Sequence, residues 1–232
     1  MTASGKPRWR KLLRPLLPVA IMAALVLGYF GAMRVLGHSP LLNYEVVEKG
    51  RLLRSAQPRP SDLDEIRARD GLGTVLSLRG SEEPEIKAWA VEQGVPLLSL
   101  KMRADVPPTA HQIDLFFSIM RGDTIRIDDY RDIIEQRANL KKAHFFKFPF
   151  PVLIHCEGGS DRTGVMVALY RMAFQGWDLK LAKEEMMGHF HLPSQHPAQF
   201  DFLDRIAPDI NAYYGARPTA PPAPAAGAPA KP

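Results

Sequence analysis

Pro151-Val-Leu-Ile-His-Cys-Glu-Gly-Gly-Ser-Asp-Arg-Thr-Gly164 reads as a buried strand, a glycine-containing loop and the first turn of a helix. The strand part is a continuous apolar run, as a sheet covered on both faces requires, and the helical part is largely apolar until Gln175, with Gly176 as its stop. A strand that turns through glycines into a helix makes a seat for one dianion. Backbone N–H groups of Glu157, Gly158, Gly159, Ser160, Asp161 and Arg162 are expected to turn inward around it. Gly158 and Gly159 admit dihedrals that other residues resist, and the helix presents its positive end to the same point.

In that field the Cys156 thiol is expected to ionise near neutral pH and to act as a nucleophile. Arg162, six residues on, is placed by a curled loop to hold two oxygens of a phosphoryl group bidentately and to stabilise charge in the transition state. Thr163 adds a hydroxyl able to bond the sulfur when it becomes the leaving group. A purely architectural reading, with Cys156 as a small core residue and Arg162 as a helix-end cation, leaves two glycines and the Arg-Thr-Gly run without a reason.

Outward from this segment, further strands are expected over 74–78 and 96–100, with 151–155 as the third. Helices are expected at 61–70, opened by Ser61-Asp-Leu-Asp as a capping box, and at 82–93, 110–121 behind Thr109, 163–175, 178–190 and 197–213. The alternation predicts an α/β domain over 38–216 with a central, mostly parallel sheet flanked by helices. The stretch 122–150 stands out as an insertion rich in charge and aromatic residues, with a helix of its own expected near 128–140.

Length and composition bound the rest. The chain has 232 residues and 25.9 kDa, room for one ordinary domain with appendages, and its 46% hydrophobic and 24% charged content is that of a folded globular protein. Its 30 bases exceed 25 acids by five, but Lys6, Arg8, Arg10, Lys11 and Arg14 account for that excess, so nucleic acid is not an expected partner. A single cysteine excludes an internal disulfide and any multi-cysteine metal site.

Residues 15–33 carry no charge, roughly 28 Å as a helix and close to the thickness of a bilayer core. Five cations precede them, so 15–37 is expected to be an uncleaved transmembrane signal-anchor with the basic segment 1–14 in the cytoplasm. A cleaved signal peptide fits less well, because the apolar stretch is long and lacks a good small-x-small site. Residues 217–232, with six prolines and six alanines, are expected to be a disordered tail.

His155, Cys156, Arg162, Thr163 and Gly164 resemble the signature His-Cys-x5-Arg-[Ser/Thr]-Gly of the cysteine-dependent tyrosine and dual-specificity phosphatase superfamily. Arg51-Leu-Leu-Arg-Ser-Ala-Gln-Pro58 is similar to a stretch in a bacterial, membrane-anchored branch of it. Sulfurtransferases and arsenate reductases also use Cys-x5-Arg, but His before Cys and Thr-Gly after Arg favour the phosphatases. The resemblance implies Cys156 as nucleophile, Arg162 and the loop amides as phosphate ligands, a cysteinyl-phosphate intermediate, and neither metal nor other cofactor. It further implies a general acid from a mobile loop after a sheet strand, which points to Asp105 in Lys101-Met-Arg-Ala-Asp-Val-Pro-Pro108. Asp161 is the rival, since lipid-directed myotubularins and some bacterial tyrosine phosphatases also carry Asp-Arg in the loop.

A phosphorylated protein is the expected substrate, acted on from the extracytoplasmic side of the inner membrane. A phospholipid or phosphoinositide headgroup is the alternative, and a catalytically silent phospho-binding scaffold a second one. His189, His191 and His196 are expected to be solvated imidazoles rather than metal ligands, although Glu185 precedes His189 by one helical turn. Met186 and Met187 are expected in the core, and the Lys141 to Phe150 cluster as an amphipathic segment over it.

Overall fold

A computed structural model describes residues 18, 21–25, 27–28, 41–140 and 144–210 of the chain. The chain divides into two units, 1–40 and 41–232. Described residues of the first are helical, with Ile21, Met22, Leu25 and Leu27 exposed. Most of the expected span 15–37 lies outside the described residues, among which no helix is long and apolar enough to cross a membrane. The expected disordered tail also lies outside them.

The second unit runs β1 (Glu45–Glu48), β2 (Leu52–Ser55), α1 (Pro60–Asp70), β3 (Thr74–Ser77), α2 (Pro84–Gln93), β4 (Leu97–Leu100) and α3 (Ala110–Arg121). It continues through β5 (Ile125–Arg126), β6 (Ile134–Ala138), β7 (Phe145–Phe146), β8 (Val152–His155), α4 (Asp161–Gln175), α5 (Leu179–Gly188) and α6 (Pro197–Ile206). Six strands pair in the order β1-β2-β8-β3-β4-β6, with β2, β8, β3 and β4 parallel and the two edge strands antiparallel.

Alternation along the parallel strands explains why they are apolar throughout. Leu53, Leu153, Val75 and Leu97 face a layer containing Leu63 and Ile66 of α1 and Ile86 and Trp89 of α2. Their neighbours Leu52, Ile154, Leu76 and Leu98 face a larger layer built on Phe116 of α3 and Val165 and Leu169 of α4. Each fully buried Val, Leu or Ile contributes about 2 kcal/mol by leaving water, so a polar residue on either face needs a specific reason to be there. The register sets Ser55 and Ser77 on either side of His155. Cys156 therefore emerges at the carboxyl end of a central parallel strand, where open α/β sheets bind ligands.

Several expectations are corrected. Residues 128–140 do not form a helix: a single 3-10 turn, Ile127–Tyr130, leads into β6, which is the sheet's edge. In Ile134-Glu-Gln-Arg-Ala138 the more buried positions alternate with the exposed ones, a period of two rather than 3.6. The 122–150 stretch is thus partly a sheet component, and β5 and β7 form a second, two-stranded sheet within it. The β1–β2 hairpin had no counterpart among the expected strands; each of its strands is only four residues long.

α1 begins earlier than expected, with Pro60 in its first turn and the Asp62 carboxylate accepting the Arg59 backbone N–H at 2.7 Å. The Thr109 cap of α3 is as expected, with Thr109 and Gln112 bonded reciprocally and Gly122 closing the helix at φ 76°. α5 starts behind Asp178 and ends at Gly188, and α6 ends at Ile206. Met186 is in the core but Met187 is exposed.

Candidate active site

β8 delivers Cys156, which is 2% exposed, and the chain then curls from Glu157 to Ser160 before α4 starts at Asp161. The Gly159 N–H donates toward Cys156 Sγ at 3.2 Å, so the loop does close over the sulfur. Of the two glycines only Gly159 has the left-handed backbone, with φ +71°. A Cβ there would lie 2.7 Å from three backbone atoms of Ser55 and Ala56. Gly158 has neither constraint, which corrects the expectation that both glycines supply unusual dihedrals.

Arg162 leaves the first turn of α4 and lays Nη1 at 3.4 Å from the carbonyls of Leu78 and Met102, beyond the ends of β3 and β4. Among the described residues its Nε is buried without a hydrogen-bond partner, as is Thr163 Oγ1. Both groups are donors in the first turn of the helix that follows the loop. Such orphaned donors are costly unless something occupies the seat they surround.

Next to Cys156, His155 is fully buried, with Nδ1 at 3.4 Å from the Cys156 carbonyl and Nε2 at 3.7 Å from Glu82. Burial pushes the imidazole below its ordinary pKa, against the pull of Glu82. A carbonyl only accepts, so the neutral ring carries its proton on Nδ1. Glu82 in turn accepts from Ser77 Oγ and from Gln57 Nε2 at 3.0 Å. The residue assigned to the start of a helix is therefore a buried brace, and α2 starts at Pro84.

The two acids fall in different settings. Asp161 accepts from His191 Nδ1 at 2.7 Å and lies 3.7 Å from His196 Nε2. Partial burial opposes its ionised form, but the His191 hydrogen bond and the charges of His196, His191 and Arg162 outweigh it, and its carboxyl sits below the usual range. Asp105 is exposed and held by Arg103 through bonds of 2.9 and 2.5 Å, which bring its pKa down to about 2. The charge of His196 favours the ionised form of both carboxyls, and it is Asp161 that lies against the ring, at 3.7 Å from Nε2.

Some participants were not foreseen. Buried Gln199 directs Nε2 at the carbonyls of Arg103, Ala104 and Val106 at 3.3, 3.2 and 2.7 Å, pinning the loop that carries Asp105. Arg54 is 0% exposed and donates to the Gly159 carbonyl at 2.8 Å. Its signal was present as the one charge in Leu-Leu-Arg-Ser, a run otherwise suited to a central strand. His191 is 1% exposed and bound to Asp161, and His189 bonds Glu45 at 2.7 Å, so neither is a solvated imidazole. Glu45, Glu185 and His189 bring ligand atoms within 4.8 Å of one another, but Arg171 Nη2 sits at 3.1 Å from Glu45 and 2.6 Å from Glu185. A guanidinium already supplies the positive charge that this cluster calls for.

Comparison with known proteins agrees with this geometry. The chain is 31% identical over 135 residues to the dual specificity protein phosphatase TpbA of Pseudomonas aeruginosa. That match covers 58% of this chain and 49% of TpbA, so the chain spans about half the length of the curated relatives it matches. The crystal structure of P. aeruginosa TpbA is similar with a TM-score of 0.50 at 25% identity, over 72% of this chain and 85% of that one. The core catalytic domain of the PP-IP phosphatase SIW14 from S. cerevisiae shares the fold with a TM-score of 0.54 at 21% identity, over 78% and 98%. Residues 32–182, nearly two thirds of the sequence and including the entire loop around Cys156, match the model of the tyrosine phosphatase family, to which this chain belongs.

Proposed function

We propose that the chain hydrolyses phosphate monoesters through a cysteinyl-phosphate intermediate, as a phosphatase of the tyrosine or dual-specificity type. The observation that carries the proposal is a buried sulfur under a loop amide at 3.2 Å, followed in the first turn of α4 by an Arg162 Nε and a Thr163 hydroxyl that have no hydrogen-bond partner among the described residues. A phosphoryl group seated there would meet the amides, the guanidinium and the nucleophile at once. The dual-specificity name of the P. aeruginosa relative supports the substrate class.

In the first step Cys156 S⁻ attacks phosphorus, the P–O bond to the leaving group breaks, and a carboxylic acid gives that oxygen its proton. In the second the same carboxylate takes a proton from water, whose oxygen attacks phosphorus. The P–S bond then breaks, inorganic phosphate leaves, and Thr163 stabilises the returning thiolate. Asp105 and Asp161 are the two candidates for that acid. The test compares the wild-type chain with Cys156→Ser on a phosphotyrosine peptide, a phosphoserine peptide and a soluble short-chain phospholipid, in reductant and chelator. Cys156-dependent turnover of phosphotyrosine above the lipid supports the reading, the reverse order moves the substrate to a lipid headgroup, and no turnover on any of them overturns it in favour of a phospho-binding role.

The uncharged stretch 15–33 behind five cations supports a single-pass anchor with the domain on the extracytoplasmic side, and the exposed Ile21, Met22, Leu25 and Leu27 suit a lipid environment. Protease added to intact spheroplasts should digest the domain. Digestion only after lysis would overturn this placement.

A further inference from the structure

The phosphate loop is gripped from outside, one carbonyl after another. Gln57 N–H donates to the Glu157 carbonyl at 3.0 Å, Asn43 Nδ2 to that of Gly158 at 2.7 Å, and Arg54 Nη2 to that of Gly159 at 2.8 Å. In a trans peptide the carbonyl of one residue and the N–H of the next point in opposite directions. Each outward grip therefore turns one amide inward: those of Gly158, Gly159 and Ser160 in turn. The middle one can be checked directly. The peptide whose carbonyl is held by Asn43 is the one whose N–H lies 3.2 Å from Cys156 Sγ.

All three donors belong to the segment around the β1–β2 hairpin, and its two ends are stitched together by the Ala56 N–H bond to the Leu42 carbonyl at 2.8 Å. Asn43 holds a left-handed backbone, φ +54°, and its amide nitrogen also lies 3.2 Å from the His189 carbonyl and 3.3 Å from Ser160 Oγ. Arg54 is a fully buried guanidinium whose Nε and Nη1 have no hydrogen-bond partner among the described residues. A leucine would contribute more to folding at that strand position. The charge is explained by the place it occupies, behind the loop and within electrostatic reach of Cys156.

We infer that Asn43, Arg54 and the Gln57 amide form an outer collar that positions the anion-binding amides over Cys156, a role that rests on the phosphatase reading. They are positioning residues, acting through the loop rather than on the phosphoryl group. Cys156 is the sole cysteine, so its alkylation can be followed without interference. The informative quantity is the ratio of its alkylation rates by iodoacetate and by neutral iodoacetamide. The ratio cancels changes in thiol nucleophilicity and reports the positive field of the anion seat, in which Arg162 and the helix end are unchanged between wild type and Asn43→Gly.

In the full-length chain in detergent the ratio should favour iodoacetate, and orthovanadate should protect Cys156 from both reagents. Asn43→Gly keeps the positive φ and removes the side-chain amide together with its contacts to Gly158, Ser160 and His189, and should lower the ratio and the vanadate affinity by about tenfold while the melting temperature moves little. Arg54→Lys keeps the charge without the fork and should lower both by a smaller factor; if it does not fold, Asn43→Gly decides alone. A wild-type preference for iodoacetate that survives Asn43→Gly within about twofold overturns the collar and leaves the phosphatase reading standing. A wild-type chain with no preference for iodoacetate and no vanadate protection overturns the phosphatase reading, and the collar with it.

Discussion

The loops that leave β8 and β4 open at the same end of the sheet but are held in opposite ways. From β8, the loop 156–160 has three successive carbonyls gripped by another part of the chain and a nucleophile that is 2% exposed. From β4, the loop that carries Asp105 is pinned through its backbone by Gln199, while the Asp105 side chain is 58% exposed and bound by a still more exposed arginine. The contrast fits the role proposed for the first loop and one of the two candidates for the acid in the second. An anion cradle works best when its dipoles are already oriented before the substrate arrives. A general acid has to exchange one partner for another in every turnover, and side chains able to do so are found at the exposed, weakly held end of a structure.

Removing the rigid half should have the largest effect. Cys156→Ser is expected to reduce kcat by about 10^4- to 10^6-fold, since the covalent step disappears altogether. Arg162→Ala should lower kcat/KM by about 10^3-fold through lost stabilisation of the equatorial oxygens, with little change in melting temperature because its ties to the protein are long: two carbonyls at 3.4 Å and the exposed Glu157 carboxylate at 4.0 Å. Steady-state kinetics on one phosphotyrosine peptide measures both. An Arg162→Ala enzyme with kcat/KM near wild type would mean the amides alone carry the phosphoryl group.

Gly159→Ala tests the rigidity itself. Its new Cβ meets Ser55 and Ala56 backbone at 2.7 Å, and its φ of +71° is strained for alanine, so about 2–4 kcal/mol of stability should be lost in urea unfolding. Gly158→Ala, with only Ser160 Oγ at 3.6 Å, should cost well under half of that. Equal losses at the two glycines would show that the loop is softer than its contacts imply.

The same division governs what was legible in the residues. The His155 to Gly164 run carries its own geometry, because a strand, a turn and a helix that follow one another in sequence are neighbours in space. The parallel strands near 74–77 and 97–100 were legible for a similar reason: burial on both faces leaves an unbroken apolar run. Long-range relations were not. Nothing in the spacing of Asn43, Arg54 and Gln57 says that they meet Gly158, Gly159 and Glu157 a hundred residues later. The solvated reading of His191 fails because its partner Asp161 is thirty residues away, and the helical reading of 128–140 fails because Gln136, polar at one of the more buried positions of β6, hides its two-residue period. Tertiary contact decides all three, and only a composition out of place, such as a lone arginine in an apolar strand, marks them in advance.

Which acid serves the leaving group is the sharpest remaining comparison between the loops. Replacing the true acid by its amide should reduce kcat on phosphotyrosine by about 10^2-fold, and the loss should shrink with a leaving group that needs no proton. Asp105→Asn and Asp161→Asn are compared on that criterion. The smaller and more telling effect comes from Arg103. With its pKa near 2, Asp105 stays ionised until pH falls through that value, so in the resting loop it is a base, protonated in only about one molecule in 10^5 at neutral pH. It can donate only if Arg103 lets go. Arg103→Gln should let the carboxyl rise toward its ordinary 3.8, and if Asp105 is the acid, the high-pH limb of kcat should move upward by as much as about one to two pH units. An unmoved limb assigns the proton to Asp161, whose ties run to His191 and His196. Stability discriminates nothing here. Any stabilisation from a depressed carboxyl is present above its unfolded value and lost as pH falls through the folded one, and for a pair this exposed, solvent and salt screen it. A shift of the kinetic limb without a shift of the melting temperature at neutral pH is therefore the signature of an acid held in reserve by its own neighbour.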